Sequence, residues 1–201
     1  MLGALFKSGF AKMLRPITWL LVRVRVHPDL ITAMGVVGSV VAAVMFAQGR
    51  LALAGATVLL AGLCDVLDGE VARMGRRGSK FGALLDSTMD RYSEIFVAFG
   101  ILWYFISHGW LWTSMALFFT LAGSLMVSYV RARAEGLGEE CTVGLMQRPE
   151  RVITIAAGAF IGPKGLAAAV WLIAVLANFT VGERLWHVWK RTHRLELNEG
   201  R

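Results

Sequence analysis

The chain has 201 residues, of which 56% are hydrophobic and 17% charged, and its mean hydropathy is +0.59. Average soluble domains are about 45–50% apolar and about 25% charged. The composition excludes a disordered chain, and two cysteines, Cys64 and Cys141, exclude a disulfide-stapled secreted fold. It argues against an ordinary soluble enzyme and for an integral membrane protein, in which a net charge of +7 calls for an explanation.

In residues 1–27, Leu2, Leu5, Phe6, Phe10, Met13 and Leu14 recur at helical spacing among Lys7, Lys12 and Arg15. This juxtamembrane segment predicts an interfacial amphipathic helix on the inner leaflet; a soluble amphipathic helix packed on a partner is the alternative. Its lysines interrupt the apolar run and no clean cleavage site follows, so it does not read as a signal peptide. Six apolar segments come next, near 30–48, 51–72, 82–107, 110–129, 152–161 and 166–181. The fifth is short and gains length if it begins at Pro149, a residue suited to a first helical turn. A helix needs about 20 apolar residues to cross a bilayer. The expected fold class is therefore all-α integral membrane, with six transmembrane helices, a cytoplasmic tail at 183–201, and one domain over 1–201.

The cations orient these spans. All but Arg50 and Lys164 fall in the N-terminal segment, the second-to-third junction, the fourth-to-fifth junction or the C-terminal tail. The positive-inside rule then places both termini in the cytoplasm, which requires an even number of spans. The positive charge is thereby a topological signal for the inner membrane and not a nucleic-acid signature. Trp103, Trp110, Trp112, Trp186 and Trp189 lie at span ends, where interfacial tryptophans belong.

The acids are distributed differently. Asp65, Asp68, Glu70, Asp86, Asp90 and Glu94 crowd into the end of one apolar segment and the start of the next. Carboxylates inside such segments are expensive and mark functional sites. Asp65 and Asp68 share one helix face, as do Asp86 and Asp90. A turn at 75–78 would fold the two helices antiparallel, so that four carboxylates face each other across the pair. Such a group needs cations, and oxygen-only ligands suit Mg²⁺, Mn²⁺ or Ca²⁺. Two ions would form a clamp for phosphoryl displacement. Gly69 and Gly82 permit close approach of backbone or ligand, with helix packing as the plain alternative. Arg73 stands ready for a phosphate. Glu70 and Glu94 either orient the site or pair with Arg73 and Arg91.

The run Asp65-x2-Asp68-Gly69-x2-Ala72-Arg73-x8-Gly82-x3-Asp86-x3-Asp90 resembles the complete signature of the CDP-alcohol phosphotransferase family. The resemblance implies a homodimeric six-helix membrane enzyme that displaces CMP from a CDP-linked lipid with an alcohol, at a site open to the cytoplasm. It implies that Asp65, Asp68, Asp86 and Asp90 bind two Mg²⁺ or Mn²⁺ ions and that Asp90 is the general base. It further implies that Asp68, Gly69, Ala72, Arg73, Ser79 and Gly82 line the CDP-lipid site. Asp29 and Thr32, in a run resembling the family's turn before the first span, would join them.

The acceptor is read from Ser128, Arg131, Arg148 and Arg151, which suit an acceptor phosphate or, alternatively, supply positive-inside charge and headgroup contacts. The runs Ser128–Glu135, Arg148–Arg151 and Asp86–Arg91 resemble the inositol-phosphate branch of the family. The expected reaction joins CDP-diacylglycerol and inositol phosphate, with glycerol 3-phosphate as the alternative acceptor and a dialkyl lipid as an alternative donor. Arg131 stands where that branch often has lysine, and Ser87 where the glycerol-phosphate branch typically has proline. A cation transporter and a non-catalytic lipid scaffold are the readings from other classes; crowding of the acids at one end and the lack of a repeat disfavour transport.

Overall fold

The computed structural model describes residues 14–199, and all its regular structure is helical. The helices are α1 (14–23), α2 (Pro28–Ala47), α3 (Leu51–Met74), α4 (Lys80–Ser107), α5 (Leu111–Gly136), α6 (Arg148–Ile161) and α7 (Pro163–Glu199). Leu2, Leu5, Phe6, Phe10 and Met13 of the expected amphipathic helix lie outside the described residues. Leu14 is buried with Ile31, Leu67 and Val71, which docks α1 on α2 and α3.

Local chemistry sets the helix starts. Pro28 occupies the first turn of α2 after an extended His27, and Pro149 does the same for α6. Ser79 caps α4, its hydroxyl accepting a hydrogen bond from the Gly82 N–H at 2.8 Å. Among the described residues, four helices are long and apolar enough to cross a membrane: α2, α3, α5 and residues Pro163–His193 of α7. Helix α4 has ample length at 28 residues but carries Asp86, Asp90, Arg91 and Glu94. Helix α6 has 14 residues, about 21 Å at 1.5 Å per residue. The expected cytoplasmic tail does not begin as a separate element, because α7 continues past residue 183 without a break.

Helix α2 packs against α3 and α4, α3 against α6, α6 against α7, α7 against α5, and α5 against α4. The six helices thus close a ring. This corrects the expectation that α3 and α4 face each other as a pair, since α2 stands between them. Small residues are the reason. Gly35 and Gly38 lie against Ala61 and Cys64 of α3, while Gly100 of α4 lies against the Ala43 backbone. Without the drive of water exclusion, such close approach is how helices gain contact in lipid.

Phe46, Phe105, Ile101, Leu166, Val170 and Ile173 fill the ring. Thr120 adds an interhelical hydrogen bond, donating to the Val170 carbonyl at 2.9 Å. Leu30, Met34, Val37, Val41 and Val44 repeat at helical spacing along α2 and are exposed, forming an apolar outer stripe. Residues 137–147 connect α5 to α6 and are tied to α7: the Met146 N–H donates to Thr180 Oγ1 at 3.2 Å and Arg184 Nε to the Val143 carbonyl at 2.8 Å. Gly144 (φ +122°) lets the connection pass Thr180, since a Cβ there would strike the Thr180 methyl group.

A Cβ at Gly100 would stand 2.5 Å from Ala43 Cα, whereas one at Gly136 meets nothing within 4 Å. Overpacking of this kind costs about 1–3 kcal/mol. Gly100→Ala is therefore expected to lower the midpoint of thermal unfolding in detergent by several degrees, with Gly136→Ala unchanged as the control.

Candidate active site

The site forms where one end of the ring opens. The last turns of α3 and the first turns of α2, α4 and α6 meet there, joined by the last turns of α5 and the middle of α7. Asp65, Asp68 and Asp86 each present a ligand atom, all within 4.8 Å of one another. Asp68 is 3% exposed and accepts a hydrogen bond from Thr32 Oγ1 at 2.6 Å. Asp86 Oδ1 is buried with no hydrogen-bond partner in the protein. Three carboxylates so close, one with an orphaned oxygen, form a hard-oxygen donor set that fits Mg²⁺ or Mn²⁺. Asp90, the fourth aspartate, stands outside this trio. Its Oδ1 lies 2.7 Å from Arg148 Nη2 and its Oδ2 3.4 Å from Arg91. Arg148 also ion-pairs with Asp65, so one guanidinium joins carboxylates from two helices.

The residues expected at a CDP-lipid site lie around the trio. Gly69 and Arg73 line the same cleft as Asp65, Asp86 and Asp90. Arg73 pairs with Glu70 at 2.6 Å and folds back over Gly69, where a Cβ would lie 3.3 Å from its guanidinium. Ala72 is half-buried one turn after Asp68. Ser79, Gly82 and Asp29 meet at the α2 and α4 N-termini: a Cβ at residue 82 would stand 3.0 Å from Ser79 Oγ and 3.6 Å from Asp29 Oδ1. Gly82 thus keeps this approach open.

The cleft holds about 1000 Å³ and has two kinds of wall. At the aspartate end it is strongly basic, lined by Ser128, Arg131, Arg148 and Arg151. All four expected acceptor residues are brought together. Along its length Leu59, Leu60, Leu63, Ile153 and Phe160 line it, and Leu60, Ile153 and Phe160 are exposed on the outer face of the bundle. The cavity suits an amphiphile with an anionic head.

Sequence reasoning missed one residue here and left another open. Arg184, assigned to the tail, lies on α7 inside the protein and lines the cleft, 2% exposed. Its Nη1 donates to the Val127 carbonyl at 2.5 Å. The signal was its position one turn beyond Thr180 on a helix that does not stop. Of the expected pairs Glu70 meets Arg73, whereas Glu94 pairs with Arg151, at 2.5 Å, in place of Arg91.

Residues 25–182 match the family described as CDP-alcohol phosphatidyltransferase. The chain is 39% identical over 205 aligned residues to the phosphatidylinositol phosphate synthase of Mycobacteroides abscessus, covering 98% of this chain and 93% of that one. It is 40% identical to the archaetidylinositol phosphate synthase of Methanothermobacter thermautotrophicus, covering 84% and 86%. Among solved structures, it resembles the phosphatidylinositol phosphate synthase of Mycobacterium tuberculosis with CDP-DAG bound (TM-score 0.80, 36% identity, 89% of this chain and 94% of that one). The same enzyme in complex with manganese and citrate matches with TM-score 0.80 at 37% identity, covering 87% and 88%. The chain belongs to the CDP-alcohol phosphatidyltransferase family. It is a transferase of phospholipid synthesis and an integral membrane protein.

Thr32 holds Asp68 from behind, and loss of such outer partners weakens metal binding by about 10–100-fold. Thr32→Val is expected to raise the Mn²⁺ concentration needed for half-maximal CMP release at least tenfold. Titration of Mn²⁺ in the release assay checks this.

Proposed function

We propose that this chain transfers the phosphatidyl group of CDP-diacylglycerol to inositol phosphate, giving phosphatidylinositol phosphate and CMP. The observation that carries the reading is the one cleft in which Asp65 and Asp86 of the carboxylate trio, a basic end and an apolar wall adjoin. A pyrophosphate-linked lipid needs the first and third, and a phosphorylated polyol needs the second. The synthases named above support inositol phosphate as the acceptor, and the archaeal relative leaves a dialkyl donor as the second reading.

Asp65, Asp68 and Asp86 would hold the divalent ion, with Asp90 at the position for a second. Such an ion neutralises the pyrophosphate and polarises the phosphorus under attack. The residues of the chain do the rest. Asp29, Thr32, Asp68, Gly69, Ala72, Arg73, Ser79 and Gly82 bind the CDP-lipid. Ser128, Arg131, Arg148 and Arg151 bind the acceptor phosphate, as planar guanidinium groups do well, and Arg184 lies on the same wall. The acceptor hydroxyl attacks the phosphatidyl phosphorus, its proton passes to Asp90, and the bond to the CMP phosphate breaks. Arg148 touches Asp90 and also lines the basic end, so an acceptor phosphate on Arg148 brings its hydroxyl towards the base.

The seating that fits is six crossings at the inner membrane as a homodimer, with both termini and the cleft on the cytoplasmic side. The site-forming ends of α2–α6 and the cation-rich junctions coincide, which supports it.

Purified protein with CDP-diacylglycerol and Mn²⁺ is expected to release CMP with inositol phosphate at least ten times faster than with glycerol 3-phosphate, free inositol or serine. Release supported by another alcohol but not by inositol phosphate would overturn the acceptor. Asp90→Asn is expected to slow the reaction about a hundredfold or more, the usual weight of a general base. Arg148→Ala and Arg151→Ala should raise the acceptor KM more than the donor KM.

A further inference from the structure

Arg148 and Arg151 form a partition. They line the basic end of the cleft and also a smaller cavity of about 90 Å³ inside the ring. Glu94 lines the inner cavity only. It stands on α4 one turn beyond Asp90 and reaches across the ring to α6. Its Oε1 is 2.5 Å from Arg151 Nη2 and 3.9 Å from Arg148 Nε. Arg151 is 5% exposed, and its other terminal nitrogen donates to the Met146 carbonyl at 3.1 Å. Arg131, by contrast, pairs with Glu135 on its own exposed helix face, an arrangement that fixes little.

We infer that Glu94 is a positioning residue for the acceptor site, holding Arg148 and Arg151 from the inner side so that both guanidinium groups present to one phosphate. This rests on the acceptor reading above. Two cations on adjacent turns of α6 repel each other, and a carboxylate between them offsets that repulsion. Bidentate recognition of phosphate depends on the orientation of the guanidinium plane. Arg148 has an alternative in Asp65 and Asp90. Without Glu94, Arg151 keeps only the Met146 carbonyl, and the two guanidinium groups lose the anion they share. The donor side of the cleft contains no contact of Glu94, so a positioning role predicts an effect on the acceptor alone.

The test is Glu94→Gln, which keeps the shape and removes the charge, with Glu94→Asp as the variant that keeps the charge and shortens the reach. Steady-state CMP release is measured against both substrates, with thermal unfolding in parallel. The expected result for Glu94→Gln is an acceptor KM raised about tenfold, with the CDP-diacylglycerol KM and kcat within twofold. Glu94→Asp, which keeps the charge but shortens the reach, should recover only part of that loss, leaving the acceptor KM raised at least threefold. An acceptor KM within twofold of wild type, or equal rises in both KM values with a lowered unfolding midpoint, overturns the inference. Should Glu94→Gln not fold, Glu94→Asp decides: a threefold or larger rise in acceptor KM alone supports the role, and any smaller rise overturns it. Wild type is first run with inositol phosphate and glycerol 3-phosphate. If it prefers the latter, the acceptor assignment falls and the same comparison is read with glycerol 3-phosphate. If it uses only unphosphorylated alcohols, both fall.

Discussion

Mutual repulsion among carboxylates in a medium that screens poorly is the constraint around which this protein is built. Asp65, Asp68, Asp86 and Asp90 lie where the helix ring opens, and like charges at such range repel by several kcal/mol at an effective dielectric of about 20. Three answers to that repulsion are visible. Thr32 donates to Asp68. Arg148 joins Asp65 to Asp90. The trio retains an orphaned oxygen, the sign of a place for a divalent ion. Arg148, which balances this charge, also lines the basic end of the cleft, so in the proposed reading charge balance and acceptor recognition use the same group.

The ring makes this arrangement possible. Carboxylates on α3 and α4 are close at the open end although α2 separates the helices along their length. Glycine contacts on both sides of α2 hold that spacing. The α5–α6 connection is fastened to α7 through Thr180 and Arg184, and it ends at the turn that delivers Arg148 and Arg151. The site is thus assembled from six helices, with α3 and α4 supplying the aspartates and α5, α6 and α7 the basic wall.

Much of this was legible in the sequence, for physical reasons. The aspartates recur at three- and four-residue spacing, and helix geometry turns that spacing directly into a shared face. Hydropathy and Pro149 placed the helix starts to within a few residues, whereas α5 and α7 run well past their apolar segments. The insertion of α2 was not legible, because close packing at Gly35, Gly38 and Gly100 leaves no periodic signal distinguishable from ordinary glycine. Arg184 was misplaced because hydropathy falls after Val181 although the helix continues. Glu94 was ambiguous because its partner lies 57 residues away, beyond any local rule. That Arg148 reaches Asp65 and Asp90 while Arg151 reaches Glu94 is visible only in the fold.

The apolar wall of the cleft is open at its side, with Leu60, Ile153 and Phe160 on the outer surface of the bundle. A lipid reaching this wall never leaves the bilayer. The amount of donor that such an enzyme senses is its mole fraction in the membrane, not its bulk concentration. Diluting the donor with other lipid would slow the reaction even at constant total donor, while the soluble acceptor would still obey its concentration in water. The two substrates are therefore counted in different dimensions, one over an area and the other through a volume.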